Sequence, residues 1–152
     1  MKNFLFIVFL CLNQFAISQE GPADSAQLPA PVKAAFALKY PDMKPKDWWI
    51  NNKGEYGTIL RKENRKRINI WMKRNGAILL LEEELDPKEL PESVRLSAEK
   101  HISGTSMKAG KYWKQTKKGR IRYIQHVSDS GNIWMNVYNR HGRYIGKDYY
   151  RE

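Results

Sequence analysis

Side chains that could do catalytic or metal chemistry are few and scattered along this chain of 152 residues. The three histidines are His101, His126 and His141, and their spacing fits no zinc-binding motif of the H-x-x-x-H or H-E-x-x-H type. The Ser-Asp-Ser segment at 128–130 has, with His126, the residue types of a nucleophilic triad. It precedes Gly131 between two strand-like stretches, however, and this pattern is typical of a turn.

Carboxylates and glycines give no better catalytic site. Glu82, Glu83 and Glu84 are adjacent in a predicted strand, so neighbouring side chains point to opposite faces and do not converge. The glycines stand singly near strand ends, and no glycine-rich phosphate loop is present. We therefore predict a protein that is not an enzyme and that has no catalytic residue, cofactor or metal ion.

Aromatic side chains are the remaining feature of the sequence that indicates a function. Trp48 and Trp49 are adjacent in a predicted strand, so one packs under a helix and the other lies on the open side of a sheet. The same argument puts Ile70 in the core and Trp71 on the open side. Aromatic rings beside Arg or Lys have the composition of protein interfaces. The candidate protein-binding surface consists of Trp49, Tyr56, Trp71, Trp113 and Tyr123. Strand register decides which of them share the face, and the alternative is that the rings only cover the sheet.

Positive charge is the second candidate signal. The chain has 27 Lys and Arg against 16 Asp and Glu, a formal net charge of +11. Such a surface attracts acidic proteins, anionic glycans or lipid head groups. The candidate anion-binding residues are Arg65, Arg67, Lys117, Lys118 and Arg120. The alternative interpretation is that these residues form solvated strand faces and hairpin turns.

The amino terminus predicts export. A basic start, an uncharged apolar run and a small-residue cleavage site indicate a signal peptide at 1–18, removed after Ser18. A membrane anchor is the alternative, but the apolar run is shorter than the roughly 20 residues of a spanning helix. Cys11, the only cysteine, is removed with it. We expect a mature chain in the periplasm or outside the cell, with no membrane span and no disulfide.

Two related openings organise the rest of the chain. Leu-Pro-Ala-Pro-Val at 28–32 and Leu-Pro-Glu-Ser-Val at 90–94 each precede apolar residues at helical spacing. The predicted helices span about 28–40 and 91–102. After each helix, alternating segments separated by turn residues predict four strands. Asn75-Gly76, between two of these strands, predicts a type I′ hairpin turn.

The predicted fold is therefore α+β, as two tandem repeats that each have one helix and a four-stranded antiparallel sheet. Repeat 1 occupies 28–85 and repeat 2 occupies 86–152, and 19–27 form a disordered leader.

The order of these motifs resembles the PepSY-like, beta-lactamase-inhibitor-like family of small exported proteins from Bacteroidetes-type bacteria. The resemblance is carried by the two Leu-Pro openings, by Tyr40-Pro41, by Trp48-Trp49 and by the Gly-Glu-Tyr strand at 54–56. It implies a BLIP-like/PepSY-like fold over about 28–150.

The resemblance further implies a non-catalytic binding protein that docks an aromatic sheet face on an envelope or extracellular protein, as an inhibitor or regulator. The alternative function is a basic adaptor for anionic glycan, lipopolysaccharide or another polyanion. Nucleic acid is the weakest polyanion candidate, because a signal peptide directs the chain out of the cytoplasm.

Overall fold

The computed structural model describes residues 21–23, 27–45 and 47–149, which form one antiparallel sheet and two α-helices. The sheet has nine strands in chain order, namely a three-residue edge strand followed by eight further strands. The elements are β1 (Gly21–Ala23), α1 (Ala30–Lys39), β2 (Trp48–Ile50), β3 (Tyr56–Arg61), β4 (Arg67–Met72), β5 (Ile78–Leu85), a 3₁₀ turn (Pro87–Glu89), α2 (Glu92–Ile102), β6 (Lys108–Lys117), β7 (Arg120–Asp129), β8 (Asn132–Asn139) and β9 (Tyr144–Tyr149).

The predicted fold class was wrong. β5 pairs with β6 from Leu80 opposite Lys117 to Leu85 opposite Tyr112, so the two expected sheets are one continuous sheet. The protein is mostly sheet, and it is not an α+β tandem of two separate units. The physical reason is that an unpaired strand edge exposes a row of backbone donors and acceptors, which the next strand satisfies. Helical and alternating patterns reveal elements, but they do not reveal which edges join.

The element predictions were confirmed within the described residues. α1 and α2 lie inside the predicted helical spans, and the four strands predicted after each helix are present. No helix in the described part of the chain is long and apolar enough to cross a membrane. The predicted signal peptide at 1–18 lies outside the described residues. β1 falls inside the predicted leader and pairs with the edge of β2, so the leader is ordered over these three residues.

The hairpin turns differ from the prediction in type. Asn75 is not at positive φ and only Gly76 is (+84°), so this turn has a three-residue loop that closes with Gly76 N–H donating to Lys73 O at 2.9 Å. Lys118-Gly119 and Ser130-Gly131 have the two consecutive positive φ values of a type I′ turn instead. The turn predicted at 128–131 is present but shorter, because Ser128 and Asp129 belong to β7 and only 130–131 form the loop.

Both helices lie on the same side of the sheet, which we call the helix face. Under α1, Val32 and Phe36 pack on Trp48, Leu60 and the stripe from β4. The predicted burial of Ile70 is confirmed, and Ile68 and Met72 of the same strand are buried beside it. This first cluster is apolar, and burial of its side chains is the main source of its stability.

The second cluster lies under α2 and is built differently. Val94 and Ala98 of the helix meet the rings of Tyr112, Tyr123 and Tyr138. Two polar side chains are buried beside these tyrosines, namely Gln125 and Asn136. Small helix residues leave room for the tyrosines, whose hydroxyl groups need partners when they are buried.

Gln125 supplies such a partner to two of the tyrosines, Tyr112 and Tyr138. Its side chain is 0% exposed. Its Nε2 donates to Tyr112 Oη at 3.1 Å, and its Oε1 accepts from Tyr138 Oη at 3.0 Å and from Asn136 Nδ2 at 3.3 Å. Burial raises the pKa of Tyr138 well above its usual range, so this hydroxyl stays protonated and donates.

Candidate functional site: the open face of the sheet

The open face is the side of the sheet opposite the helices, and no described helix covers it. Strand alternation assigns side chains to the two faces, because residues paired across neighbouring strands point the same way. Trp49, Trp71 and Trp113 lie on the open face, next to Trp48, Ile70 and Tyr112 on the helix face. The opposite orientations that the sequence predicted for Trp48 and Trp49, and for Ile70 and Trp71, are confirmed.

Two of the five predicted surface residues lie elsewhere. Tyr56 packs against the first cluster and Tyr123 belongs to the second, so both face the helices. Their positions follow from register, since Tyr56 is opposite Met72 and Tyr123 is opposite Tyr138. Burial raises the pKa of Tyr123. Three of the five residues therefore share the open face.

A single row of cross-strand neighbours on this face joins aromatic and basic residues. We call it the first row, and it runs across six strands from β2 to β7. Its members, each opposite the next, are Trp49, Gly57, Trp71, Leu80, Lys117 and Arg120. The indoles and Leu80 are half-buried, and the two cations are exposed. The row thus changes from apolar to cationic along its length.

Gly57 determines where the ring of Trp71 lies. A Cβ atom on Gly57 would come within 2.8 Å of two atoms of the Trp71 indole, so the ring lies directly over this glycine. A larger residue here would displace the ring. Gly57 is thus the position that keeps Trp71 close to the sheet, with its outer side accessible.

The next row is polar and internally bonded. Glu82 accepts from Asn69 Nδ2 at 3.2 Å and from Gln115 Nε2 at 2.9 Å, so its carboxylate bridges β4 and β6. Ile59 and Arg122 extend the same row at either side. Because both oxygens of Glu82 already accept hydrogen bonds, this carboxylate is held in place and is not a free acid or base.

A second bridged carboxylate, Glu84, lies one row further along. Its oxygens meet Arg67 Nε at 3.2 Å and Lys111 Nζ at 2.7 Å. Burial by itself would raise the pKa of Glu84, but hydrogen bonds and charge from Lys111 and Arg67 outweigh burial and lower that pKa. Glu84 is therefore ionised at neutral pH and holds three strands together.

Trp113 is buried beneath neighbouring side chains of the open face, so it is not accessible to a partner protein. Its side chain is 5% exposed, with the Arg67 guanidinium 5.1 Å from the ring centroid and His126 6.3 Å away. Its indole N–H has no hydrogen-bond partner among the described residues. Burial is the main cause that lowers the pKa of His126, so this ring is neutral at pH 7.

The predicted anion-binding residues divide into two groups. In the first group, Arg67 contacts Glu84 and Trp113, and Arg65 lies nearby in the β3–β4 turn. Both lie away from the end of the sheet that carries the second group. Lys117, Lys118 and Arg120 come together at the β6–β7 hairpin. Arg122, which the sequence analysis did not select, completes what we call the cationic hairpin: Lys117, Lys118, Arg120 and Arg122. None of these four forms an ion pair with a described carboxylate.

Three adjoining cavities run along this end of the sheet, and we call them together the rim groove. The first, about 410 Å³, includes Trp71, Leu79 and Leu80 and ends at Lys117 and Lys118. The second, about 440 Å³, is lined by the four residues of the cationic hairpin. The third, about 430 Å³, continues from Arg120 and Arg122 to Arg140 and Ile145. Neighbouring cavities share side chains of the cationic hairpin, so they adjoin one another at this end of the sheet.

The catalytic side chains that the sequence analysis considered do not converge. His101 lies against Tyr144 on the helix face, and His141 accepts from Arg140 Nε at 2.9 Å in the β8–β9 turn. Asp129 accepts from Ser130 Oγ and Ser106 Oγ, which fixes a turn. Among the described residues, no three His, Cys, Asp or Glu side chains are placed to hold a metal ion.

Sequence reasoning missed the alignment that makes the first row. The alternation of each strand was readable, but the offset between strands depends on turn lengths and on a bulge beside Trp71. Leu80 and Gly57 carried no signal of their own. Arg122 could have been found from its period-two spacing with Arg120 in a predicted strand.

No family model matches the chain, and no curated protein matches it in sequence. Solved structures do match it. A DUF2874 family protein from Bacteroides ovatus ATCC 8483 is 16% identical and covers 84% of this chain and 89% of its own, with a TM-score of 0.69. A BLIP-like protein from Bacteroides fragilis NCTC 9343 is 16% identical over 80% of this chain and 86% of its own, with a TM-score of 0.63.

A third structure is a predicted periplasmic protein from Bacteroides eggerthii DSM 20697, 13% identical over 80% of this chain and 88% of its own, with a TM-score of 0.69. The chain shares the fold of these DUF2874 and BLIP-like proteins. The resemblance seen in the sequence is confirmed at that level, and its PepSY component stays a prediction.

Proposed function

We propose that this protein is an exported, non-catalytic binding protein that docks its open face on another protein of the cell envelope or exterior, as an inhibitor or regulator. The observation that carries the proposal is the first row. Two half-buried indoles, Leu80 and two cations stand in line on a face that no described helix covers. Aromatic residues and Arg are enriched where interface binding energy concentrates.

The neighbouring rows of the open face also favour binding. The carboxylates of Glu82 and Glu84 each bridge neighbouring strands, which fixes the sheet beside the exposed side chains of the first row. A rigid surface loses little conformational entropy when a partner binds. The BLIP-like fold supports the same proposal by analogy only, since one fold serves many functions.

The predicted export of the chain indicates the compartment in which its partner is found. We propose that residues 1–18 are removed as a signal peptide and that 19–152 act in the periplasm or outside the cell, in agreement with the structural likeness to a predicted periplasmic protein. The partner would then be an envelope or extracellular protein.

Affinity capture from an envelope fraction tests the proposal. The wild-type protein and the variant Leu96→Ala, altered at an exposed helix residue, should retain the same partner. Trp71→Ala should lose it, with at least about a tenfold drop in affinity for a central aromatic contact. Equal retention by all three proteins would refute binding through the open face.

A polyanion adaptor is the second candidate, and the cationic hairpin favours it. The four cations are exposed and form no ion pair with described carboxylates. Binding of this kind weakens steeply as salt screens the charges, whereas a desolvated aromatic interface is much less sensitive. Capture at low and high salt separates the two functions.

A further inference from the structure

The rim groove combines two chemistries in a fixed order. At one end, the Trp71 indole and Leu80 form an apolar wall, and in the middle all four lining side chains are cationic. The third cavity continues from Arg120 and Arg122 to Arg140, beside the exposed Ile145. A ligand that fits must carry apolar surface at an end and negative charge in its central part.

The cationic hairpin places like charges against each other. Lys117 and Arg120 are directly opposite on paired strands, with Lys118 between them in the turn. Like charges at directly opposite positions destabilise an antiparallel pair. A carboxylate bound between the two side chains would remove this repulsion. Binding an anion would therefore stabilise the hairpin.

The groove also has a single acidic lining residue in its first cavity. Glu55 accepts from Asn51 Nδ2 at 2.8 Å and thereby closes the β2–β3 turn. Lys53 lies in the same cavity. The charge balance of the groove therefore stays strongly positive.

Its length matches a short extended segment. The part of the groove between Trp71 on β4 and Asn139 on β8 crosses four strand spacings, and the lining continues beyond it to Glu55 on one side and Ile145 on the other. At about 4.8 Å per spacing this distance is roughly 19 Å, which an extended chain covers with about six residues.

We propose that the rim groove binds an extended acidic peptide segment of about six residues, with central Asp or Glu side chains on the cationic hairpin and a terminal apolar side chain against Trp71 and Leu80. The inference rests on the proposed function and names the chemistry of the partner. An acidic peptide fits better than an anionic glycan, because a uniform polyanion leaves the indole and Leu80 without a complement.

The probe is a fluorescein-labelled peptide with the sequence Leu-Asp-Glu-Asp-Asp-Leu, titrated with the purified protein and followed by fluorescence anisotropy. Two matched peptides accompany it. One has Asn and Gln in place of the acids, and the other has Ser in place of both leucines. We expect saturable binding of the first peptide that weakens as salt is raised, no detectable binding of the amide peptide, and at least about tenfold weaker binding of the Ser peptide.

Protein variants localise the binding. Lys117→Gln combined with Arg120→Gln should weaken the acidic peptide by at least about tenfold, whereas Lys100→Gln on the exposed side of α2 should change it less than about twofold. Trp71→Ala should reproduce, for the Leu-containing peptide, the loss seen with the Ser peptide. Because the peptide changes leave the protein intact, the test does not depend on the folding of this variant.

The outcomes separate this inference from the proposed function. Equal binding of dextran sulfate and the acidic peptide, with no effect of Trp71→Ala on either, would overturn the inference in favour of a polyanion site. No peptide binding, together with a partner captured in a Trp71-dependent manner, would overturn the inference and leave the proposed function standing. No peptide binding and no such partner would refute both.

Discussion

The two faces of the sheet are made by the same strands and differ in what their side chains contact. On the helix face, large residues such as Trp48 and Ile70 are buried under α1. On the open face, Trp49 and Trp71 stay half-buried in a row that no described helix covers. Alternation along a strand thus separates stability from recognition at neighbouring positions. Substitutions on one face should affect folding, and those on the other should affect binding.

The helix face itself contains a second contrast. The first cluster is held by apolar packing around Phe36 and Trp48, whose rings meet edge-on at 5.3 Å. The second contains tyrosine rings, and the hydroxyl groups of Tyr112 and Tyr138 both form hydrogen bonds with Gln125. We therefore expect the first cluster to respond to changes in volume and the second to the loss of a hydrogen-bonding group.

The adjacent tryptophans give the sharpest comparison of the two faces. Trp48→Ala should lower the free energy of unfolding by about 3–5 kcal/mol, because it empties a buried aromatic site beside Phe36. Trp49→Ala should cost less than half as much, since its ring is only half-buried, and it alone should weaken partner binding. Chemical denaturation and partner capture on both variants measure this. Equal stability losses would contradict the division between the faces.

Substitution of Gly142 tests how closely the β8–β9 turn packs against the start of α2. A Cβ at this position would lie 2.3 Å from Ser93 O at the start of α2, and φ there is +82°. Gly142→Ala should destabilise by about 3 kcal/mol or more through backbone strain and overlap. Gly131, at φ +86° with nothing within 4 Å, provides the control, because Gly131→Ala carries only the strain. If thermal unfolding moved equally in both variants, the contact with α2 would have no energetic role.

Gln125→Leu tests the polar character of the second cluster. The change keeps approximate volume and leaves Tyr112, Asn136 and Tyr138 without their shared partner. We expect a loss of about 1–3 kcal/mol. Ile70→Val in the first cluster should cost about 0.5–1.5 kcal/mol by loss of one methyl group. A neutral or stabilising Gln125→Leu would show that the hydrogen bonds do not hold this cluster.

Lys117→Gln should have the smallest effect on stability, and the opposite sign. Removing one of two like charges across the β6–β7 pair should stabilise the protein by about 0.2–1 kcal/mol. The gain should shrink at high salt, because exposed charges are screened. Lys100→Gln, away from the hairpin, serves as the control. A destabilising Lys117→Gln would mean that this side chain supports the hairpin instead of straining it.

Much of the local structure was predictable from the sequence, and the assembly was not. Helical spacing and strand alternation placed α1, α2 and the buried Ile70 of β4 correctly, because both patterns are local. The joining of β5 to β6 was missed, since pairing between edges depends on backbone geometry and leaves no periodic signal. Tyr56 and Tyr123 were assigned to the candidate surface because each strand has two faces and composition does not distinguish them. The same limit hid Gly57 and Leu80.

Site-specific photocrosslinking tests the central claim, that the open face is the binding side, most directly. A photoreactive amino acid is placed at Ile59 on the open face, 38% exposed, and separately at Leu96 on α2, 52% exposed. After irradiation in intact cells, our account predicts a discrete adduct with an envelope or extracellular protein from position 59 and none from position 96. Adducts from position 96 alone, or the same adducts from both positions, would contradict it.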